Sequence, residues 1–235
     1  MIIKGSQLVM LLTLILFACS RAKDQNPYTE GVYLNLNDTV KYLGRESCKA
    51  CHLINYWSYM RSGMGLSWDT ANQIKSASVV GPDSMLYDPY KNLTYKPFWD
   101  GDSLYLKEFR LINGDTVFQR TELVNYVVGS GQHTNSHIYL SGHYAYQVPF
   151  TYYTQEGRFD FPPGFEAGNN SRFERKIGLE CMSCHNALPD FVMGSENKYN
   201  YIPDGIDCER CHGPGEVHVK NIKSGIFVDT SQYID

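Results

Sequence analysis

The chain has 235 residues, of which 43% are apolar and 20% charged, and carries a formal net charge of −4 with a pI of about 6.0. That balance belongs to a globular chain rather than a disordered one. The weak acidic excess gives no electrostatic footing for nucleic acid.

In chain order, the first segment is an export signal. Lys4 precedes the apolar run Leu8–Ala18, which is too short to span a bilayer as a mature helix and has the layout of a signal peptide, residues 1–18. Leu16-Phe17-Ala18-Cys19 resembles the lipobox of bacterial lipoproteins, which implies cleavage before Cys19 and lipidation of that residue. An ordinary secretory signal with an incidental cysteine is the alternative. Acyl chains on Cys19 would give a stable membrane anchor. Residues 19–40 read as a tether, polar and without periodicity at their start, and residues 41–235 as the folded body. Roughly 215 residues remain after cleavage, enough for one sizeable domain or two small ones.

Residues Cys48 to about Ser62 have helical length and end before Gly63. A β-rich insertion is expected over about 90–165. Leu93–Trp99 and Ser103–Leu111 flank an Asp100-Gly101 turn, and Asn113-Gly114 is a strong hairpin signal before Thr116–Arg120. A second hairpin pairs His137–Leu140 with Tyr144–Val148 across Ser141-Gly142-His143. Ser171–Cys181 offers a cap and a charged face, and reads as a helix. The fold class is therefore α+β, with short helices and loops around a hairpin-rich insertion. No fixed-period repeat is visible.

Three pentapeptides carry the chemistry: Cys48-Lys49-Ala50-Cys51-His52, Cys181-Met182-Ser183-Cys184-His185 and Cys208-Glu209-Arg210-Cys211-His212. Cys-x-x-Cys-His is the attachment signature of c-type haem (heme c). Two thiols add across the porphyrin vinyl groups while the adjacent imidazole coordinates iron, and a helical turn brings all three side chains to one side. The reading is three covalent haems, with Cys48, Cys51, Cys181, Cys184, Cys208 and Cys211 as anchors and His52, His185 and His212 as proximal ligands. Structural zinc is the competing use of Cys181, Cys184, Cys208 and Cys211. It leaves Cys48 and Cys51 without partners and makes the three histidines accidental. Of the 7 cysteines six lie in these motifs, so Cys19 has no partner for a disulfide. Export and haem attachment agree, because in bacteria the c-type linkage is made outside the cytoplasm.

The second axial position of each iron separates a carrier from an enzyme. His133 and His137, four residues apart, would share a side in helix or strand and are candidate ligands. The nearby Gly129-Ser130-Gly131 lacks the third glycine and following helix of a dinucleotide site, and suits a turn or close backbone approach to a haem. His218 follows the chain reversal of Gly213-Pro214-Gly215, which could aim it at a neighbouring iron rather than its own. His143 falls in the predicted turn and is the weaker candidate. Met64 offers a thioether, though methionines also fill cores.

These motifs together resemble the bacterial multihaem c-type cytochromes related to the tetrahaem electron carrier of ammonia oxidisers. The resemblance rests on Tyr42–His52 with Tyr56-Trp57 behind it, on Gly129-Ser130-Gly131, on Gly178–Asn186, and on Gly205–Gly215 with His218. It implies closely spaced haems, mostly with histidine on both sides, passing electrons between other redox proteins. Where many relatives place a histidine after the tryptophan that follows the first motif, this chain reads Arg61-Ser62-Gly63-Met64-Gly65, so Met64 is the candidate replacement. It would raise the potential of its haem. The namesake's fourth motif is absent. The expected function is extracytoplasmic electron relay by a lipid-anchored protein of the cell envelope, periplasmic or facing the outer membrane. A reductase of a small nitrogen or sulfur oxyanion, with one open iron, is the alternative.

Overall fold

The computed structural model describes residues 34–226. The signal peptide, Cys19 and the first part of the tether lie outside them. The order begins with a 3-10 turn, Leu34–Leu36, and the short helices α1 (Glu46–Lys49) and α2 (Leu53–Tyr59). Next come strands β1 (Trp68–Thr70), β2 (Leu86–Asp88), β3 (Leu93–Asp100), β4 (Ser103–Ile112) and β5 (Asp115–Leu123). They are followed by β6 (Tyr126–Val128), β7 (Thr134–Ser141), β8 (Tyr144–Tyr153), β9 (Arg158–Asp160) and β10 (Arg175–Lys176). Helix α3 (Leu179–His185), strands β11 (Asp190–Phe191) and β12 (Tyr199–Tyr201), and helices α4 (Glu209–His212) and α5 (Glu216–Lys223) complete it. The architecture is α+β, with antiparallel hairpins between helical segments.

Both expected hairpins form. Asn113 (φ 52°) and Gly114 (φ 90°) occupy left-handed backbone between β4 and β5, the twist that a two-residue hairpin turn requires. β7 and β8 pair from Ser141 opposite Tyr144. One sheet runs β2-β3-β4-β5 and a second runs β1-β6-β7-β8-β10, with β9 also on β8. The strands of these two sheets thus start at Trp68 and reach Lys176, beyond the insertion expected from sequence, and β11 and β12 form a further pair that ends at Tyr201.

The second sheet is covered on both faces, and this places the second motif. Because side chains alternate along a strand, Val127, Tyr139, Val148 and Phe150 face one way and pack with Leu93, Tyr95, Leu104 and Leu106 of the first sheet. Ile138 and Ala145 face the other way and pack with Trp68, Ile177 and Met182, the last lying between Cys181 and Cys184. Met182 is 1% exposed, so α3 is held to the sheet by a residue inside the motif itself.

Two expected helices differ. The segment after Cys48 divides into α1 and α2, with His52 outside helical geometry at φ −109°, ψ 40°. Between Ser171 and Cys181, Arg172 takes a left-handed φ of 59° and Arg175 and Lys176 pair with Gln147 and Tyr146 of β8. The charged residues read there as a helix face line a sheet edge instead.

Candidate functional site

The three motifs sit on short helical turns that the chain draws together. Motif one spans α1 and the start of α2, motif two is α3, and motif three is Cys208 with α4. The loop entering the first motif is stitched to the segment around the third. Arg45 Nη1 donates to the Asp204 carbonyl at 2.9 Å and Nη2 to the Asp204 carboxylate at 3.3 Å. The Lys41 N–H donates to Glu216 Oε2 at 2.9 Å. Behind the first motif, the backbones of Gly65 and Gly205 approach so closely that a Cβ on Gly205 (φ 56°) would lie 2.4 Å from the Gly65 carbonyl oxygen, a contact only glycine permits.

The second motif is tied in by Ser67 and Arg210. Ser67 Oγ donates to the His185 carbonyl at 2.8 Å and accepts from the Ile206 N–H at 3.1 Å. Arg210, inside the third motif, donates to the Ser183 carbonyl, inside the second, at 2.7 Å. Asn35 Nδ2 donates to the His212 carbonyl at 3.2 Å.

Two thiols from different motifs meet. Their shared hydrogen bond pushes Cys48 well above the usual thiol range, with burial adding to the effect, and pulls Cys208 down. The attachment points of the first and third motifs therefore lie side by side. Tyr59, on α2, is pushed up to about 12 by burial and by the neighbouring Cys211 and Cys208.

His52 and His218 face each other with ring centroids 6.2 Å apart and planes inclined by 25°. With metal–imidazole nitrogen bonds of about 2.0 Å and roughly 1.1 Å from nitrogen to ring centroid, imidazoles on opposite sides of one ion have centroids about 6 Å apart. The centroid spacing equals that of two imidazoles sharing one iron, and ligation further requires the in-plane ring nitrogens to point at the metal. The spacing is too wide for direct ring-on-ring contact of the kind seen at 4.2 Å between His137 and Phe150.

The other candidates are placed apart. His137 is fully buried, stacked on Phe150, with Nε2 3.5 Å from Ser78 Oγ. It shares the face of Tyr139, opposite the face that carries Ile138 and Met182, and none of these contacts comes from a motif. An iron ligand at His137 is not carried forward. His133 lies exposed before β7, its Nδ1 2.9 Å from Gln155 Nε2. The expected shared side fails because β7 begins at Thr134 and its pairing shifts between Ser136 and Ile138. His143 is exposed, with Nδ1 3.1 Å from the Tyr199 carbonyl. Gly129-Ser130-Gly131 forms a turn in which a Cβ on Gly129 would meet the Thr134 carbonyl at 2.6 Å. Met64 is 51% exposed, and its carbonyl accepts from the Ile206 N–H at 3.2 Å, two residues before Cys208.

The residues fit covalent haem. Of seven side-chain polar atoms buried without a hydrogen-bond partner among the described residues, Asn35 Oδ1, Tyr59 Oη, Asn186 Oδ1 and His218 Nδ1 border a motif. Buried polar groups are ordinarily paired, so this concentration marks a surface shaped for a further group. Leu53, Ile54 and Trp57 behind the first motif and Leu179 and Leu188 around the second are exposed apolar side chains, the kind of patch a porphyrin covers. Among the described residues no group of three or more His, Cys, Asp or Glu is placed to hold a bare metal ion. The four cysteines of the zinc reading are not gathered.

Residues 166–213 match the family model of cytochrome c554 and c-prime, a span that holds the second and third motifs. A comparison with curated proteins found no match. The crystal structure of the outer cell wall cytochrome OcwA is similar at TM-score 0.47 and 15% identity, over 82% of this chain and 35% of that one. Among the described residues no helix is long and apolar enough to cross a membrane.

Sequence reasoning missed Glu209, Ser67 and Asn35. Each acts through backbone groups distant in the chain, and only Glu209 had a signal, an acidic side chain between two motif cysteines.

Proposed function

We propose that the protein is an extracytoplasmic electron carrier with three covalent haems, anchored at a bacterial envelope membrane through lipidated Cys19, and related to the tetrahaem carrier of ammonia oxidisers. The observation that carries this reading is the facing of His52 and His218. An iron held between these two imidazoles would have both axial positions filled by the chain, which suits electron exchange and leaves no place for substrate at that iron.

Bound haem supplies one-electron chemistry at iron, with a potential set by axial ligands, hydrogen bonding and burial. The chain contributes the rest. Cys48, Cys51, Cys181, Cys184, Cys208 and Cys211 fix the three groups, and His52, His185 and His212 supply one axial nitrogen each. His218 would supply the second nitrogen to the iron held by His52, and Met64 is the candidate sulfur ligand. The Cys48–Cys208 contact and the Arg210–Ser183 hydrogen bond hold the attachment sites as neighbours, the arrangement needed for transfer from one group to the next. The partners are other redox proteins.

The test is the absorption spectrum of the purified, reduced protein with and without carbon monoxide or nitrite, together with intact mass. Three haems by mass are expected, with the haem held by His52 and His218 low-spin and unresponsive to either ligand. Catalytic turnover of nitrite at another, open iron would instead favour the reductase.

A further inference from the structure

Glu209 lies inside the third motif yet serves the first. Its carboxylate is 3% exposed and accepts from three backbone N–H groups. Oε1 takes Leu43 at 2.9 Å and Gly215 at 2.7 Å, and Oε2 takes Leu43 at 3.0 Å and Gly44 at 2.7 Å. Leu43 and Gly44 lead directly into α1 and so to His52. Gly215 caps α5, which carries His218 in its first turn. One buried anion thus grips the two segments that present the facing imidazoles. Charge-assisted bonds to backbone N–H are among the stronger hydrogen bonds, and an unpaired buried donor is costly.

We propose that Glu209 is a positioning residue for the first haem, holding His52 and His218 at the separation that one iron requires. This rests on the reading that these two histidines ligate the same iron. Ligand geometry depends on supporting groups that lock the ligands themselves. Here the support cannot come from α5 alone, because it is an eight-residue helix and too short to be stable by itself. Its start is fixed from outside by the Glu209–Gly215 bond and by the Lys41 bond to Glu216.

The experiment uses the full, haem-loaded chain. Glu209→Gln preserves shape but offers one acceptor oxygen, and turns an NH2 group toward N–H donors. With three haems confirmed by intact mass, the reduced variant is expected to bind carbon monoxide at up to one haem more than wild type, with matching loss of low-spin signal in electron paramagnetic resonance of the oxidised form. His218→Ala is the reference and opens that haem completely. Where Glu209→Gln does not retain its haems, Gly215→Pro removes one donor and sets ring carbons against the carboxylate, a Cβ at 215 lying 3.1 Å from Glu209 Oε1. The φ of −86° at Gly215 lies near the proline range, and the same carbon monoxide binding is expected. If His218→Ala opens one haem while Glu209→Gln or Gly215→Pro stays low-spin and unresponsive, the positioning role is overturned and the axial pair stands. If His218→Ala opens none, the axial pair itself falls.

Discussion

Acid sensitivity should trace in large part to His137. The side chain is wholly buried between the sheets, flat against Phe150 at 4.2 Å, and Nδ1 has no hydrogen bond of ordinary geometry. Burial pulls its pKa down from 6.5 to about 3. The unfolded chain takes up a proton near pH 6.5, whereas the folded chain resists until about pH 3. The neutral ring's stabilisation is therefore fully present above 6.5, declines as pH falls, and is exhausted near 3. At about 1.36 kcal/mol per pH unit, the loss is about 2.7 kcal/mol at pH 4.5 and approaches 5 kcal/mol at pH 3. His137→Phe removes this linkage and the unpartnered nitrogen while keeping an aromatic ring against Phe150. Urea unfolding at pH 7.5 and 4.5, followed by circular dichroism, should show wild type losing about 2–3 kcal/mol more than the variant between the two. The reduced spectrum of the variant should stay low-spin. Parallel losses in both proteins would refute the argument, and a new carbon monoxide-binding haem in the variant would return His137 to the ligand set.

Met64→Ala is expected to abolish a methionine-to-iron charge-transfer band and to lower one midpoint potential in spectroelectrochemical titration; if both stay unchanged, Met64 only packs. Arg172→Ala leaves the fully buried Glu108 carboxylate without its guanidinium partner. Loss of one partner of a buried pair costs about 3–5 kcal/mol, and the 37% exposure of Arg172 moves the expectation to about 2–3 kcal/mol in urea midpoint experiments, with haem spectra unchanged. Metabolic labelling with a radiolabelled fatty acid should mark the wild type and not Cys19→Ala, and a wild type that takes up no label would remove the lipid anchor from the proposal.

The hairpins were legible because their signals are local. Asn113-Gly114 admits the backbone that the turn needs, and alternation along Ser103–Leu111 reports one face turned to a core. What the strands pack against was not legible, since Ile138 and His137 differ by one position yet face a haem motif and a second sheet respectively. The helix expected over Ser171–Cys181 failed for a related reason. Glu174, Arg175 and Lys176 have the composition of a solvated helix face, but the free edge of β8 supplied hydrogen bonds to Arg175 and Lys176, and Ile177 found a buried place beside Trp68. Tertiary pairing overrode local propensity.

The same division runs through the site. The attachment signature lies in contiguous pentapeptides, so the proposed anchors and proximal ligands are named by local sequence alone. The proposed pairing joins His52 to a residue far along the chain, whereas the four-residue spacing of His133 and His137 is undone by the start of β7 and its shift in pairing. His218 was the better clue because Gly213-Pro214-Gly215 forces a reversal whose direction only a neighbour can fix. That neighbour is the entry loop of the first motif, and the connection runs through a carboxylate one residue beyond Cys208. A motif position formally open to any residue thus carries the geometry of a different motif. In multihaem chains built this way, the intervening positions of each Cys-x-x-Cys-His deserve the same scrutiny as free axial ligands, because burial against a second motif makes them part of its support.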